Sequence, residues 1–461
     1  MRIVFDLLRI LVIVSRLQLF THCNGMTFPI YIKILGKLLE LIFYPLGLIK
    51  KPKASFGKRL TTCFERLGPI YIKFGQTLST RPDLVGIAVA ENLKYLQDSL
   101  PPFSSAIAKQ MIKQSLGVST EELFAVFEDK PFAAASISQV HQAILSTGEK
   151  VAVKILRPQI YTKYNNDIKL LYFFARILPI IFIKLKRLKI VEVVDVFKSS
   201  MLSELDLRLE AAAASEMSDN FKNDLDVYIP KIYWAMTAQQ VMVTEWIEGI
   251  SIYDMEQLIA DGLEPDLISR KIAVLFFNQA YRDGFFHADL HPGNILVRAD
   301  GSIGLLDFGI MGRLPEKDRL AIAEILFAFL QRDYKTVAKI HLRAGYIPSH
   351  CNVELFAQSC RAVSEPIIGL PIKEISIGKL LAQLFKITED FGMETQPQLL
   401  LLQKTMVVVE GIGHSLDPEI NMWQLAEPWI KKWAAKNTSP EAKILRLIKQ
   451  AVTTALDQLH K

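Results

Sequence analysis

The chain has 461 residues, half of them hydrophobic and 22% charged, with a net charge of +6. That is too long for one small core, which argues for two or three domains, and too apolar for a disordered chain. Its four cysteines, Cys23, Cys63, Cys351 and Cys360, form neither a C-x-x-C pair nor a zinc spacing, so they read as reduced structural thiols and not as a disulfide framework.

The first 100 residues read mainly as helix, closing at Leu100-Pro101-Pro102. Residues 1–60 hold ten Lys/Arg against Asp6 and Glu40, which leaves +8 there and a slightly acidic remainder. Basic residues interleaved with apolar ones suit an anionic membrane surface. A nucleic-acid face would carry more exposed polar and aromatic readers, so no nucleic-acid partner is expected. A membrane span needs roughly 20 apolar residues. Met1–Phe20 is broken by Arg2, Asp6, Arg9 and Arg16, Phe28–Ile49 by Lys33, Lys37 and Glu40, and Leu170–Ile183 by Arg176. A cleaved signal peptide is not expected either, and the chain reads as lying on a membrane, not crossing it. Within this region the polar run "KFGQTLSTRPDL", residues 73–84, stands apart. From the residues alone, Lys73 and Gln76 either decorate a helix or reach into a site.

Ser104–Leu116 and Glu121–Glu128 read as short helices. From Pro131 the period changes: "ISQVHQAIL" and "STGEKVAVKIL" are two β-rich runs joined at a Gly turn, a hairpin pattern. Residues 160–222 return to helix, and 226–249 to strands ending in "TEWIEG" at a Gly turn, where a hinge would present the backbone around Glu245 and Ile247 to a nucleotide base. Leu267–Gly284 is expected to be helical and 285–309 a run of short strands and loops. From about 315 the pattern is helical to the end, where Thr438 and Glu441 form a capping box before an amphipathic last helix.

Three segments carry chemistry in order. "VAVK", Val151–Lys154, places a lysine on a strand, where it either pairs with nucleotide phosphates or is a solvated edge residue. "HADLHPGNILV", 287–297, sets Asp289 five residues before Asn294, the spacing of kinase catalytic loops: the carboxylate takes a hydroxyl proton and the amide oxygen holds a metal. His287 and His291 lack a third zinc ligand at a useful spacing, and His287 reads as a brace for the loop. "LLDFGIMG", 305–312, ends an apolar strand in D-F-G and delivers Asp307 to Mg²⁺. The glycine-rich loop expected before the lysine strand is replaced by "PFAAASISQV", 131–140. Glycine there lets backbone N–H groups approach phosphates closely, so nucleotide binding should persist with altered phosphate contacts. No A-P-E closes an activation loop, so the usual peptide-docking platform is not expected.

Taken together these residues resemble the UbiB family, the atypical kinase-like proteins of ubiquinone biosynthesis, over roughly residues 60–320. "KFGQ" resembles the family's K-x-G-Q motif at Lys73, Gly75 and Gln76, and "ELDLRLEAAAA" its E-x-D motif at Glu204 and Asp206. The resemblance implies an α+β, two-lobed atypical protein-kinase-like fold with a helical N-terminal extension and a helical C-terminal lobe. The expected divisions are a membrane-associating segment (1–60), the extension (61–130), an N-lobe-like domain (131–249) and a C-lobe-like domain with a helical tail (250–461). It further implies ATP and Mg²⁺ as cofactors, Asp289, Lys154 and Glu210 as catalytic residues with Glu210 pairing Lys154, and Asn294 and Asp307 as metal ligands. Nucleotide contacts would fall on Phe132, Ala133, Ala134, Ala135, Ser136, Ile137, Ser138, Gln139, Val140, Lys154, Glu245 and Ile247. Lys73, Gln76, Glu204 and Asp206 would be regulatory, the lysine pairing with the E-x-D carboxylates as the extension folds over the site. The implied setting is the cytoplasmic face of a bacterial inner membrane, with the lipid surface, ubiquinone-biosynthesis enzymes and isoprenoid quinone precursors as partners. Two rival classes are a nucleotide-gated scaffold without catalysis and a small-molecule phosphotransferase.

Overall fold

The computed structural model describes residues 2–19, 54–79, 85–96, 100–181, 190–368 and 396–420, with isolated positions within 34–42, 381–392 and 425–433. Most of the apolar segment 28–49, the basic run after Ile183 and the closing helix from Thr438 lie outside the described residues. The chain divides into two compact units, residues 1–211 with 232–246, and residues 212–231 with 247–461.

The first unit holds the N-terminal helices α1 (Arg2–Arg16), α2 (Phe56–Leu67), α3 (Pro69–Ser79) and α4 (Ile87–Leu93), then α5 (Ser105–Leu116) and α6 (Thr120–Leu123). Ser55 caps α2 by accepting from the Lys58 N–H, and Gly68 at φ 109° turns the chain into α3. A five-stranded antiparallel sheet follows in the order β1 (Phe124–Phe127), β3 (Ser138–Leu145), β4 (Lys150–Leu156) and β6 (Val241–Glu245), with β2 (Ala133–Ala134) also paired on β3. The helix expected over Glu121–Glu128 therefore stops at Leu123. Phe124 is buried against Ala108, Met111 and Ile112 of α5, and residues 124–127 pair with 143–145 of β3. Strand pairing and an aromatic buried on one face override the helical reading of "LFAVFED".

Long helices α7 (Ile160–Ile181) and α8 (Ile190–Glu204) complete this unit, and α9 (Leu207–Phe221) begins in it. Their buried faces, with Tyr164, Ile168, Phe197 and Met201, share a core with Phe64 and Leu67 of α2 and Ile70 and Tyr71 of α3. The N-terminal helices are thus part of the unit's main core. Cys63 is buried in it, and desolvation pushes its thiol up to about 12, as befits an inert core residue. On α1, Phe5 and Leu8 remain exposed.

The second unit has a four-stranded sheet in the order β5 (Val227–Tyr228), β10 (Ile303–Leu305), β9 (Ile295–Val297) and β7 (Ile250–Ser251), and a ribbon of β8 (Phe285–His287) with β11 (Met311–Arg313). Helices α10 (Met255–Ala260), α11 (Pro265–Phe277), α12 (Glu316–Leu330), α13 (Tyr334–Ala344), α14 (Val353–Ile368) and α15 (Pro397–Leu416) surround them. After Phe277 the helix widens into a π turn over Asn278–Asp283, ended by Gly284 at φ 69°. A Cβ at Gly284 would lie 2.6 Å from the Leu314 carbonyl, so only glycine fits where the chain turns into β8. Among the described residues one helix, Gln398–Leu416, is long and apolar enough to cross a membrane, but half of it is buried within the protein. It packs on α11, where the Ser269 hydroxyl donates to the Gly413 carbonyl at 3.3 Å.

Candidate active site

In the first unit the strand lysine is central, not on an edge. β4 lies between β3 and β6, and Lys154 sits opposite Val140 on one side and Met242 on the other. Its Nζ donates to Glu210 Oε1 on α9 at 2.6 Å, with the two side chains only 14% and 7% exposed. A pair so withdrawn from water is held tightly, because removing one partner strands a buried charge.

The alanine-rich segment is a tight hairpin within this sheet, β2 pairing back on β3. Ala133 and Ala134 pair with Val140 and Gln139, and the Ala135 N–H donates to the Ser138 carbonyl at 2.8 Å. Arg157 clamps the turn: its guanidinium donates to the Ala135 carbonyl at 2.8 and 3.0 Å, and its backbone N–H to the Ile137 carbonyl at 2.8 Å. Sequence reasoning missed Arg157, whose partners lie on the turn twenty residues earlier. Ser136 is fully buried, and its hydroxyl has no hydrogen-bond partner among the described residues. Ser138 and Ile137 are buried, Val140 is half-buried, and Phe132 is exposed with its ring edge-to-face on Trp246. Gln139 is engaged elsewhere. Its amide accepts from the Phe103 N–H at 3.0 Å, donates to the Phe103 carbonyl and meets His141 Nε2 at 2.7 Å. The side chain of this expected nucleotide contact is an internal latch for the chain entering α5. Glu245 closes β6 opposite Val151. In the second unit, Ile247 is buried against Gly304.

The K-x-G-Q residues lie on α3. Lys73 Nζ stands 3.4 Å from Glu204 Oε2 at the end of α8, with side-chain exposures of 14% and 12%. Gln76 donates to the Leu96 carbonyl at 3.3 Å, inside the same helical layer. Gly75 has a packing reason: a Cβ there would lie 2.3 Å from Leu96 and 2.5 Å from Phe64. Asp206 is met instead by Arg208, whose guanidinium donates to both carboxylate oxygens at 2.9 and 2.6 Å and holds that carboxyl below its usual range. The two acids expected to share Lys73 thus lie in different surroundings, Glu204 near Lys73 and Asp206 against Arg208, because Glu204 ends α8 while Asp206 leads into α9, where its own Arg208 is two residues away.

In the second unit the catalytic-loop and D-F-G residues form one hydrogen-bonded assembly. β8 delivers His287, fully buried, and burial pushes its imidazole pKa down. The Asp289 N–H donates to His287 Nδ1 at 3.1 Å, so the ring proton is on Nε2, which donates to the Leu306 carbonyl at 3.0 Å. The neutral ring therefore ties the backbone of Asp289 to the residue before Asp307. Asn294 closes the loop from the other side: its Nδ2 donates to the Asp289 carbonyl at 3.0 Å, and its own carbonyl accepts from the Leu306 N–H at 2.9 Å. With the amide nitrogen so used, Oδ1 is the end left for a cation. His291 caps the Pro292–Asn294 turn by accepting from the Gly293 N–H at 3.0 Å. Asp307 is in the left-handed region at φ 52°, with Oδ1 accepting from the Gly309 N–H at 3.2 Å. A non-glycine residue held there is strained, and such strain concentrates at functional positions. The Asp289 carboxylate meets a residue no motif indicates: Lys404 Nζ on α15 lies 3.1 Å from Oδ1.

The chain matches the ABC1 atypical kinase-like domain over residues 95–341 and the UbiB helical domain over residues 360–421. A Marinobacter nauticus protein named "Probable protein kinase UbiB" is 44% identical over 407 residues, covering 87% of this chain and 74% of the relative. One of the same name from Azotobacter vinelandii is 39% identical over 446 residues, covering 94% and 82%. Among solved structures, Rv3197 of Mycobacterium tuberculosis, determined as a complex with erythromycin, is similar at a TM-score of 0.52 and 25% identity, over 86% of this chain and 97% of that one.

Proposed function

Because the chain belongs to the UbiB family of ABC1 atypical kinase-like proteins, we propose that it is an ATP- and Mg²⁺-dependent kinase or ATPase supporting ubiquinone biosynthesis at a membrane surface. One observation carries the reading: His287 and Asn294 bind the Asp289 loop and the strand before Asp307 into a single unit. This presents a carboxylate base, an amide oxygen and a second carboxylate from one rigid frame.

The donor set fits magnesium. Asn294 and Asp307 offer hard oxygens, and Mg²⁺ takes one or two such protein ligands together with phosphate oxygens and waters. When bound, the ion offsets charge on the transferred phosphoryl group. The rest of the work falls to the protein. Lys154, held in place by Glu210, is the cation for the nucleotide phosphates. The turn at Ala135–Ser138, with the buried Ser136 hydroxyl unpartnered, is the nucleotide loop. Asp289 accepts the proton of the attacking water or hydroxyl as its oxygen bonds to the γ-phosphorus and the bridging P–O bond breaks to release ADP. Lys73 and Glu204 join the extension helix α3 to α8 and are its regulatory contact. The basic, apolar N-terminal segment attaches the protein to the anionic cytoplasmic face of the bacterial inner membrane, beside other ubiquinone-biosynthesis enzymes and their isoprenoid quinone precursors.

The test is phosphate release from Mg-ATP by the full chain on anionic liposomes. Asp289→Asn should lower the rate at least about 10²-fold, the usual worth of a general base. Equal release by both forms would remove Asp289 from the mechanism. Nucleotide binding without release in the wild type would favour a nucleotide-gated scaffold.

A further inference from the structure

The Asp289 loop has its backbone fixed on both sides, by His287 and by Asn294. Its side chain is oriented from elsewhere. Lys404 Nζ lies 3.1 Å from Asp289 Oδ1, and the two side chains are 43% and 34% exposed. Lys404 comes from α15, inside the UbiB helical domain and 115 residues along the chain. Nothing in the nucleotide or metal assignments uses it.

The position has a chemical consequence. A phosphoryl group that approaches a carboxylate base brings like charges together, and this repulsion grows as water leaves. A cation touching the base is placed to offset it. Lysine has three donor hydrogens, and the contact with Asp289 uses one. The helix is a firm mount: Leu402, Thr405, Met406 and Val409 on α15 are buried, and Ser269 of α11 bonds the helix near its end. The pair itself is half open to solvent, so its cation can shift to a new anion without a large desolvation barrier.

We propose that Lys404 is a further catalytic residue, a phosphoryl-binding cation supplied by the helical domain that also sets the rotamer of Asp289. In the transfer step the acceptor oxygen bonds to the γ-phosphorus, the bridging P–O bond to ADP breaks, and the acceptor proton passes to Asp289. Lys404 donates to a non-bridging oxygen of the group in flight. This rests on the phosphotransferase reading above, and it makes the helical domain part of the chemistry as well as of the fold.

The experiment compares Lys404→Met and Lys404→Arg with the wild-type full chain, and uses Lys335→Met, which removes an exposed pair with Glu354, as a surface control. The first readout does not depend on turnover: affinity for Mg-ADP, and for Mg-ADP with aluminium fluoride as a mimic of the phosphoryl in transit. Lys404→Met should leave Mg-ADP affinity within about threefold and lose at least about tenfold of the tightening that the fluoride gives. In phosphate release it should lower kcat about 10²-fold with little change in KM, the pattern for a donor lost only in the transition state. Lys404→Arg should keep a tenth or more of the rate. Unchanged fluoride tightening in Lys404→Met overturns the proposal. A kcat at or above wild type also overturns it and marks the contact as inhibitory. Failure of the wild type to release phosphate sinks the phosphotransferase reading, whereas failure confined to the variants concerns Lys404 alone.

Discussion

Neutralising the Lys73–Glu204 pair should destabilise the first unit by an amount that identifies the contact as buried. Lys73→Met and Glu204→Gln remove one charge each and keep the side-chain volume, so the neighbouring edge-to-face packing of Phe74 on Phe197 at 5.1 Å is not the quantity being tested. At 3.4 Å, two unit charges attract by about 5 kcal/mol in a medium of effective dielectric ~20. Desolvation offsets much of that. A single substitution leaves the other charge in a site roughly seven-eighths hidden from water, and stranding a buried ion costs on the order of 3–5 kcal/mol. An exposed pair would lose no more than about 1 kcal/mol. The measurement is urea unfolding of the full chain and all three variants, with hydrogen exchange over residues 69–79 and 190–204 to isolate the local loss. Each single variant should lose about 3 kcal/mol, and the double variant clearly less than the sum, a coupling of at least 1.5 kcal/mol. Additive losses below about 1 kcal/mol each would show that the pair does not hold α3 to α8, and the regulatory reading of the K-x-G-Q segment would fall with it.

Asp307→Asn should abolish most Mg²⁺-dependent nucleotide binding, since a neutral amide cannot balance the metal charge; calorimetry giving unchanged Mg-ATP affinity would refute the assignment. Binding to anionic liposomes should weaken as salt rises, because the +8 charge of residues 1–60 is screened; equal flotation with neutral lipids at high salt would exclude electrostatics as the driver. The buried His341 has its pKa pushed down by burial to about 4, so the unfolded chain binds the proton first. Its contribution is present above about pH 6.5 and is lost as pH falls towards 4, by on the order of 3 kcal/mol at the lower end. Between pH 7.5 and 5.0 the Tm of His341→Gln should therefore fall less than that of the wild type, and identical slopes would refute this.

What the sequence makes legible is what local spacing encodes. The β3–β4 hairpin follows from alternation across a Gly turn, and the Asp289–Asn294 and D-F-G segments from motif spacing, because each element's chemistry is contained in a dozen residues. The misread strand Phe124–Phe127 shows the limit: four residues carry too little period to outweigh a helical neighbour, and only the partner strand nearly twenty residues on decides. Gln139 shows another limit. It lies in a segment that composition reads as a nucleotide loop, and strand alternation turns its side chain towards Phe103, which the local sequence does not indicate. Lys73 and Glu204, 131 positions apart, were joined by family resemblance and not by any local signal. Lys404 carries no motif at all, being one of several polar residues on an apolar helix. The residues that sequence reading reaches are those whose partners are near in the chain. The charges that orient them come from helices packed later and farther away. A site whose Asp289 loop is braced locally by His287 and Asn294, but whose carboxylate is met by a charge from α15, divides its construction accordingly. Its geometry is written in the motif, and the charge balance around Asp289 is written in the packing of the helical domain.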